Sequence, residues 1–522
     1  MLQYIPTLTE TLITVFIFLV TYRVYQVWQA LKNVDYLPGM RPLFSPLGAF
    51  GALLPTTWWN PGLGWHWKWR QTGYFNRTHE VISAVPLLSG YSLIYISSLN
   101  VLKQIFEHER KYGLDKPRYM SEGILLWGNN LLAANVHSWK RQRKVVSPAI
   151  SNKTYELVVR ETLDVCREMQ AQEGWGDKQE FVVNDINHIT RKLALVVIAR
   201  CAFNFPTKWT DIDSEEVTAG RALQTVSTTV ILRLAVPRWM YKLPIKSLRR
   251  MDIMYPWLAD YMERAIAERQ EIVNNTEPDH LDGDLFTRLV SSLDEDGQDG
   301  LTKEEVIGNT FAFMFAGHET TAKSLAALFG FLSIHQDEQD KAVAEMNNIL
   351  EGGRDVTYED FSRFKHLLAC IYETLRIFPA GFLIIREVPQ DMFVHVTRPK
   401  EQMICIKKGS CIVGDMVAVH HDPYTFHDPE SWIPSRWYDV PEHAISMFGV
   451  GPRSCIGKKF SLVETVTFLV AMLRDWKLEP VLKEGESLKE YEERIMAQDP
   501  KDLPAVSLGV GPVSVKLVRR SH

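Results

Sequence analysis

Cysteine is sparse in this sequence, and none of it is paired by spacing. Cys166, Cys201, Cys370, Cys405, Cys411 and Cys455 are spread over 522 residues without a C-x-x-C pair. That distribution argues against a structural zinc site and a disulfide framework, and it places the body of the chain in a reducing compartment. There is no lysine- or arginine-rich tail, and the formal net charge of −5 carries no footprint of nucleic-acid binding. Internal repeats with a period of about 20–50 residues are absent, so a solenoid or propeller is not expected. Charge is also missing from the N-terminus: between Met1 and Tyr22 the only charged side chain is Glu10.

That N-terminal stretch reads as membrane. Leu12–Tyr22 is apolar apart from Thr14 and Thr21, and about 20 residues span a bilayer core. A cleaved signal peptide would begin with basic residues; here Arg23 and Lys32 follow the apolar run instead. Positive charge on that side puts the following chain in the cytosol. The expected organisation is an anchor over residues 1–32, a hinge over 33–50 containing Leu37-Pro38-Gly39, Pro42 and Pro46, and one large domain over 51–522. The sequons at Asn76, Asn152 and Asn274 then face the cytosol and stay unmodified. Trp58, Trp59, Trp65, Trp67 and Trp69 read either as a segment resting on the membrane–water interface or as ordinary packing.

A hydrophobic share of 46% fits a large core. Val81–Ile96 reads as strands of a small sheet and Val101–Leu350 as mainly helical. Val513, Val515 and Leu517 would share one face of a last strand. The expected fold class is mainly α with a minor β-sheet. Asp294 and Glu305 stand at an EF-hand-like spacing, but Gln298 and Asp299 fill the positions that need Asp or Asn and Gly. A solvated acidic loop is therefore expected there, not a calcium site. Thr302 and Glu305 form a capping box opening the next helix.

The most informative segment is Phe448-Gly449-Val450-Gly451-Pro452-Arg453-Ser454-Cys455-Ile456-Gly457. A single cysteine sits in a glycine-punctuated loop, and Ser461–Leu473 reads as the helix after it. Glycines let a backbone approach a flat cofactor closely, and a helix N-terminus stabilises negative charge on sulfur. Taken singly, such a cysteine reads more readily as an inert buried thiol. The whole run resembles the haem-binding loop of the cytochrome P450 family, F-x-x-G-x-R-x-C-x-G, with every fixed position filled. The resemblance implies a cytochrome P450 fold preceded by one N-terminal transmembrane helix. It makes Cys455 the axial ligand of a haem b iron, with Phe448 beside it and Arg453 on a haem propionate. Ser461 stands where the family usually has alanine.

A second motif lies inside the apolar helix expected from Lys303 to His335. Ala316-Gly317-His318-Glu319-Thr320-Thr321 puts an acid beside a hydroxyl, with two small residues upstream. A buried glutamate is costly without a task or a partner, and the small pair leaves room against the helix. The run is similar to the family's [AG]-G-x-[DE]-T-T motif, which implies that Glu319 and Thr320 deliver protons during dioxygen cleavage. Ala312, Phe313 and Ala316 share roughly the face of Thr320 and are candidates for the substrate pocket, together with Phe382 and Leu383. His318 projects elsewhere.

Glu373 and Arg376 meet on one helix face at i, i+3. With Arg436 they resemble the family's E-x-x-R and P-E-R-F elements, which implies a structural triad; Ser435 replaces the usual glutamate. Trp139 and Arg143 match its W-x-x-x-R motif, and Arg386 stands where the family often has a further propionate-binding arginine. Lys140, Arg141, Lys144, Lys458 and Lys459 offer a basic face to an acidic electron donor.

The resemblance implies a monooxygenase using electrons from NADPH through a separate NADPH–cytochrome P450 reductase, with cytochrome b5 as a second donor. Its setting would be the endoplasmic reticulum membrane, single-pass, with the body facing the cytosol. An oxygen-independent isomerase or dehydratase is the contrasting reading, and the acid–threonine pair argues against it. Among the candidate contacts no arginine or lysine stands out as a carboxylate anchor. That disfavours a fatty acid and fits a terpenoid or sterol-like skeleton. The tryptophan-rich entry segment, the A-G-H-E-T-T-A core and the S-R-W segment look like fungal microsomal members of the family, a resemblance that implies a terpenoid of fungal secondary metabolism, with a fatty-acid, sterol or xenobiotic hydroxylase as the alternative.

Overall fold

The computed structural model describes residues 8–117, 124–214, 216–276, 284–293, 299–497 and 507–520. Two compact units emerge. The first comprises residues 1–117, 382–430 and 450–452; the second comprises 118–381, 431–449 and 453–522.

The first unit opens with helix α1, Leu8–Asn33, none of whose residues is buried. It is long and apolar enough to cross a membrane, with a mean hydropathy of 1.4. Its C-terminal half is tied down: Arg23 Nε donates to the Leu87 carbonyl at 2.9 Å, and Val27, Ala30 and Leu31 pack on the core. The leading half, including Phe16 and Phe18, is exposed. A five-stranded sheet follows, in the order Gly39–Met40, Val81–Ala84, Leu93–Ile96, Cys411–Asp415, Leu383–Glu387. Residues 33–50, expected as a hinge, contribute the parallel edge strand Gly39–Met40. A hairpin of Met392–Val396 and Gln402–Ile406 and helix α2, Leu99–Phe106, complete this unit's apolar cluster.

The tryptophan cluster divides. Trp65 and Trp67 are core residues, whereas Trp58 is 90% exposed. Buried Asp415 braces this region by accepting from Tyr74 Oη at 2.9 Å and the Ala418 amide at 2.9 Å, with His66 Nδ1 at 2.7 Å.

The second unit is helical. Its main helices are α3 Val136–Val146, α4 Asn152–Gln172, α5 Ile186–Phe203, α6 Ala219–Ala235, α7 Lys246–Asn275, α8 Lys303–Ile334, α9 Lys365–Ile377 and α10 Lys458–Asp475. An antiparallel sheet of Glu180–Val183, Val515–Arg519 and Trp476–Pro480 closes it, with Val513, Val515 and Leu517 all buried as the alternation requires. Helix α8 starts at its expected residue because the capping box forms: Thr302 Oγ1 accepts from the Glu305 amide at 3.2 Å and Glu305 Oε2 from the Thr302 amide at 3.1 Å. Most of the acidic loop before it, 294–298, lies outside the described residues. No metal-holding cluster of His, Cys, Asp or Glu occurs among the described residues.

Candidate active site

The cysteine loop is closed by the Cys455 amide, which donates to the Phe448 carbonyl at 2.9 Å. Gly451 has φ +76, and a Cβ there would collide with the carbonyl of Phe106. Helix α10 begins at Lys458, one turn earlier than the apolar pattern indicates, because Gly457 caps it. The helix start is thereby brought to the sulfur. Burial pushes the Cys455 thiol up, while the Gly457 and Lys458 amides and the Arg143 charge pull it back. Cys455 is nevertheless exposed, whereas Cys166, Cys201, Cys370 and Cys411 are buried. A thiol that is accessible yet desolvated borders a hollow, not packed neighbours.

Three side chains gather at this loop. The Arg453 guanidinium lies 5.1 Å from the centre of the Trp139 ring, and its Nη1 donates to the Ala134 carbonyl at 3.0 Å. Arg143 Nη1 reaches the Ser454 carbonyl at 3.4 Å. Trp139 and Arg143 are one turn apart on α3, so both face the loop. Arg386 belongs to the first unit and is already committed: its Nε donates to Glu109 Oε1 at 2.6 Å.

Helix α8 is buried nearly throughout, but Ala316, Gly317, Glu319, Thr320 and Ser324 remain partly accessible. That strip in the middle of a core helix faces open space. Ala312 is fully buried and Phe313 is 9% exposed, so of the three expected pocket residues only Ala316 borders the opening. Gly317 has another task. A Cβ there would press on Ile198 Cδ1 at 3.0 Å, so its absence lets α8 approach α5. His318 is buried and packed, with Nδ1 2.8 Å from the Met314 carbonyl; burial lowers its pKa.

Thr320 Oγ1 donates to the Ala316 carbonyl at 2.8 Å. Glu319 Oε1 receives Lys323 Nζ at 3.1 Å and Ser507 Oγ at 3.2 Å. These two partners were missed by the sequence reading, although the i, i+4 spacing of Glu319 and Lys323 signals the first. Thr321 Oγ1 and Ser461 Oγ lie 3.0 Å apart. Buried Thr321, next to the accessible strip, thus ties α8 to the helix that follows Cys455, and Ser461 has a partner that alanine would lack.

Glu373 accepts hydrogen bonds from two elements of the second unit. Arg376 donates from Nε at 2.9 Å and Nη2 at 2.8 Å. The Ile433 amide adds one at 2.9 Å, Arg436 Nε one at 3.2 Å and Trp437 Nε1 one at 2.8 Å. Glu373 and Arg376 are fully buried.

Other expected residues are engaged elsewhere. Arg141 pairs with Glu305 at 2.6 Å, Lys458 with Glu442 at 3.1 Å, and Lys459 lies over Tyr155 and Tyr358. Lys140 and Lys144 remain exposed. In the first unit Phe382 is buried, 5.8 Å from the His66 ring centre, and Leu383 is half-buried in its strand. Of the loop Met120–Trp127, a further candidate for substrate contact, residues 120–123 lie outside the described residues.

The chain matches the family model for cytochrome P450 over residues 69–504. It belongs to the cytochrome P450 family. Cytochrome P450 monooxygenase 124 of Postia placenta is 28% identical over 488 residues, covering 90% of this chain and 91% of that protein. Cyclooctat-9-en-7-ol 5-monooxygenase of Streptomyces melanosporofaciens is 29% identical over 391 residues, 73% and 79% of the two chains. The fold is similar to the cytochrome P450DA heme domain, with a TM-score of 0.72 at 19% identity, covering 93% of this chain and 98% of that one. This P450 is an oxidoreductase of the monooxygenase type, mainly helical with small sheets, and haem is the cofactor its family implies. The residues present fit that group: an accessible soft donor at Cys455, cationic and indole side chains beside it for an acidic edge, and open space along α8.

Proposed function

We propose that this P450 is a membrane-anchored haem-thiolate monooxygenase that oxidises an apolar terpenoid with electrons from NADPH–cytochrome P450 reductase. The observation that carries this reading is the accessible, desolvated Cys455 thiol on a loop whose helix is bonded to α8 at Thr321, beside the accessible strip. When bound, the haem supplies dioxygen activation, favoured by thiolate donation to the iron. Cys455 is its ligand, and Arg143, Arg453 and Trp139 hold its propionate edge. Arg386, held at Nε by Glu109, is a further propionate contact. Thr320 orients water at its hydroxyl, and Glu319 passes protons from the carboxylate that Lys323 and Ser507 hold in place. Glu373, Arg376 and Arg436 retain the fold behind the site. The acid–threonine pair speaks against an oxygen-independent isomerase.

The substrate class has support of a different kind. One relative is named for oxidising cyclooctat-9-en-7-ol, an alcohol on a hydrocarbon skeleton, and others are fungal. The α1 helix serves as the anchor in the endoplasmic reticulum membrane, residues 33–50 as the hinge and 51–522 as the cytosolic catalytic domain. Exposed Lys140 and Lys144 take part in reductase docking, and cytochrome b5 is a second donor. The test is expression with a fungal reductase, a reduced carbon monoxide difference spectrum, and a terpene panel read by mass spectrometry. A thiolate-type spectrum with NADPH- and oxygen-dependent products is expected. A normal spectrum with no terpene oxidised would overturn the substrate class, and loss of the spectrum only in Cys455→Ser would confirm the ligand.

A further inference from the structure

The first unit contains a cavity that none of these roles uses. Its volume is about 430 Å³, and Arg41, Leu43, Trp58, Trp59 and Leu87 form its walls. Helix α1 is tied to one of those walls. Arg23 Nε donates to the Leu87 carbonyl at 2.9 Å, and its Nη2 donates to the Pro86 carbonyl at 2.9 Å. The Leu87 amide in turn donates to the Pro42 carbonyl at 2.7 Å, next to Arg41. Arg23 is the first basic residue after the apolar run of α1. The cavity thus stands beside the point where that helix passes from apolar to charged sequence.

Arg41 is a half-buried cation without an acid. Its Nη1 donates to the Met40 carbonyl at 2.8 Å and to Ser83 Oγ at 3.1 Å, and its Nη2 donates to the Leu37 carbonyl at 3.0 Å. All of these acceptors are neutral. Burial lowers its pKa, and no carboxylate opposes that shift. The sequence explains this, because it has no aspartate or glutamate between Asp35 and Glu80. Lys68 in the same stretch donates to the Thr56 carbonyl, another neutral group. Arg41 Nε and Trp59 Nε1 have no acceptor among the described residues. Unlike Trp65 Nε1, which is unbonded and sealed off, they belong to residues that remain partly accessible and are not themselves sealed.

The cavity therefore offers a guanidinium and an indole N–H to an acceptor that carries negative charge. Its remaining surface is apolar: Leu43, Leu87 and Trp58, the last 90% exposed. A matching ligand has an anionic head and a hydrocarbon body. The arginine fork fits two oxygens of a phosphate, and indoles favour the membrane–water interface, where lipid phosphates lie. A choline or ethanolamine head would bring an ammonium into a stretch with no carboxylate to receive it. The chemistry selects a phospholipid whose head carries no cation.

We propose that the cavity at Arg41 and Trp59 binds the phosphate of one anionic phospholipid, with the acyl chains passing Leu43, Leu87 and Trp58 towards α1. The direction of the chains rests on the anchor reading of α1, and the phosphate contact on Arg41. Apolar side chains alone would hold a bilayer without regard to its headgroups. A phosphate site instead retains one lipid chosen by its head.

The test is native mass spectrometry of the full-length, haem-loaded protein in nonionic detergent, with equal amounts of dioleoylphosphatidate and dioleoylphosphatidylcholine. One phosphatidate is expected to stay bound, preferred about fivefold over phosphatidylcholine, which is what one basic side chain supplies at a lipid surface. In Arg41→Gln the preference should fall to within about twofold. Lys489→Gln, which removes an exposed charge of the second unit, should leave it unchanged. If Arg41→Gln fails to fold, Leu87→Trp fills the cavity from a side chain that is 38% exposed and spares every bond of Arg41; the bound phosphatidate should then be lost. Equal retention of both lipids, or a preference that survives Arg41→Gln or Leu87→Trp, would overturn the site. Displacement of phosphatidate by glycerol 3-phosphate would also overturn it, since the ligand would then be a soluble phosphate ester. Release of the protein from membranes by carbonate, with the phosphatidate preference intact, would count against the anchor reading alone.

Discussion

Lys323 Nζ stands 3.1 Å from Glu319 Oε1, one turn along α8. The lysine also donates to the Ser507 carbonyl at 3.3 Å, and Ser507 Oγ donates to the same glutamate oxygen at 3.2 Å. The acid of the acid–threonine pair is therefore held in a fixed position by a cation and a hydroxyl. A carboxylate placed this way has one oxygen anchored by two donors.

Removal of that anchor should uncouple the enzyme without abolishing it. Lys323→Met is expected to lower product formed per NADPH consumed by about two- to fivefold, and Glu319→Gln or Thr320→Ala by about tenfold. Parallel measurement of NADPH oxidation and product decides the matter. Unchanged coupling in both Glu319→Gln and Thr320→Ala would sink the proton-delivery role.

Glu373→Gln should act on the fold. The residue forms a fully buried ion pair with Arg376 within α9 and joins that helix to the segment Ile433–Trp437 through three further donors. Removing one partner of a buried pair costs about 3–5 kcal/mol. The variant is expected to lose haem and accumulate insoluble protein, while Arg436→Ala, whose side chain is 15% exposed, should be milder. A soluble Glu373→Gln protein with full haem content would contradict this.

These predictions rest partly on features visible before folding. The capping box at Thr302, the acid–threonine run and the Glu373–Arg376 spacing are local, so a period of 3.6 and a few motif residues reveal them. What stayed hidden depends on distant packing. Gly317 reads as room for a ligand until Ile198 is seen against it. Arg141 reads as a docking charge until Glu305 claims it. Hydrophobic periodicity points to Ser461 as the start of α10, whereas Gly457 fixes the backbone at Lys458. Trp58 and Trp65 are alike in the sequence, and only the sheet beneath Trp65 separates them.

The exposed apolar residues near Trp58 lead to a prediction about the membrane. Phe50 is 65% exposed, Leu53 61% and Trp58 90%, and a cavity of about 430 Å³ opens among Arg41, Leu43, Trp58, Trp59 and Leu87. Tryptophan favours the interface. A protein lacking residues 1–33 is expected to remain largely with the membrane pellet, and adding Phe50→Ser, Leu53→Ser and Trp58→Ser should release it. Full release by truncation alone would assign all membrane affinity to α1.

Glu464 supplies a pH test independent of catalysis. It lies within α10, fully buried, and neither carboxyl oxygen has a hydrogen-bond partner. Burial raises its pKa well above the ordinary carboxylate range. The sign follows from linkage. In the unfolded chain the group ionises near its usual value, while in the fold it stays protonated. Stability is therefore fully retained below the unfolded value and falls as pH rises through the range between the two, by about 1.4 kcal/mol per pH unit for this one group. Glu464→Gln removes the titration and keeps the shape. The variant is expected to melt higher than the parent at pH 8, with the gap closing towards pH 4.5. Thermal unfolding across that range measures it, and a gap that does not change with pH would mean that Glu464 ionises in the folded protein through a partner that stabilises its charge.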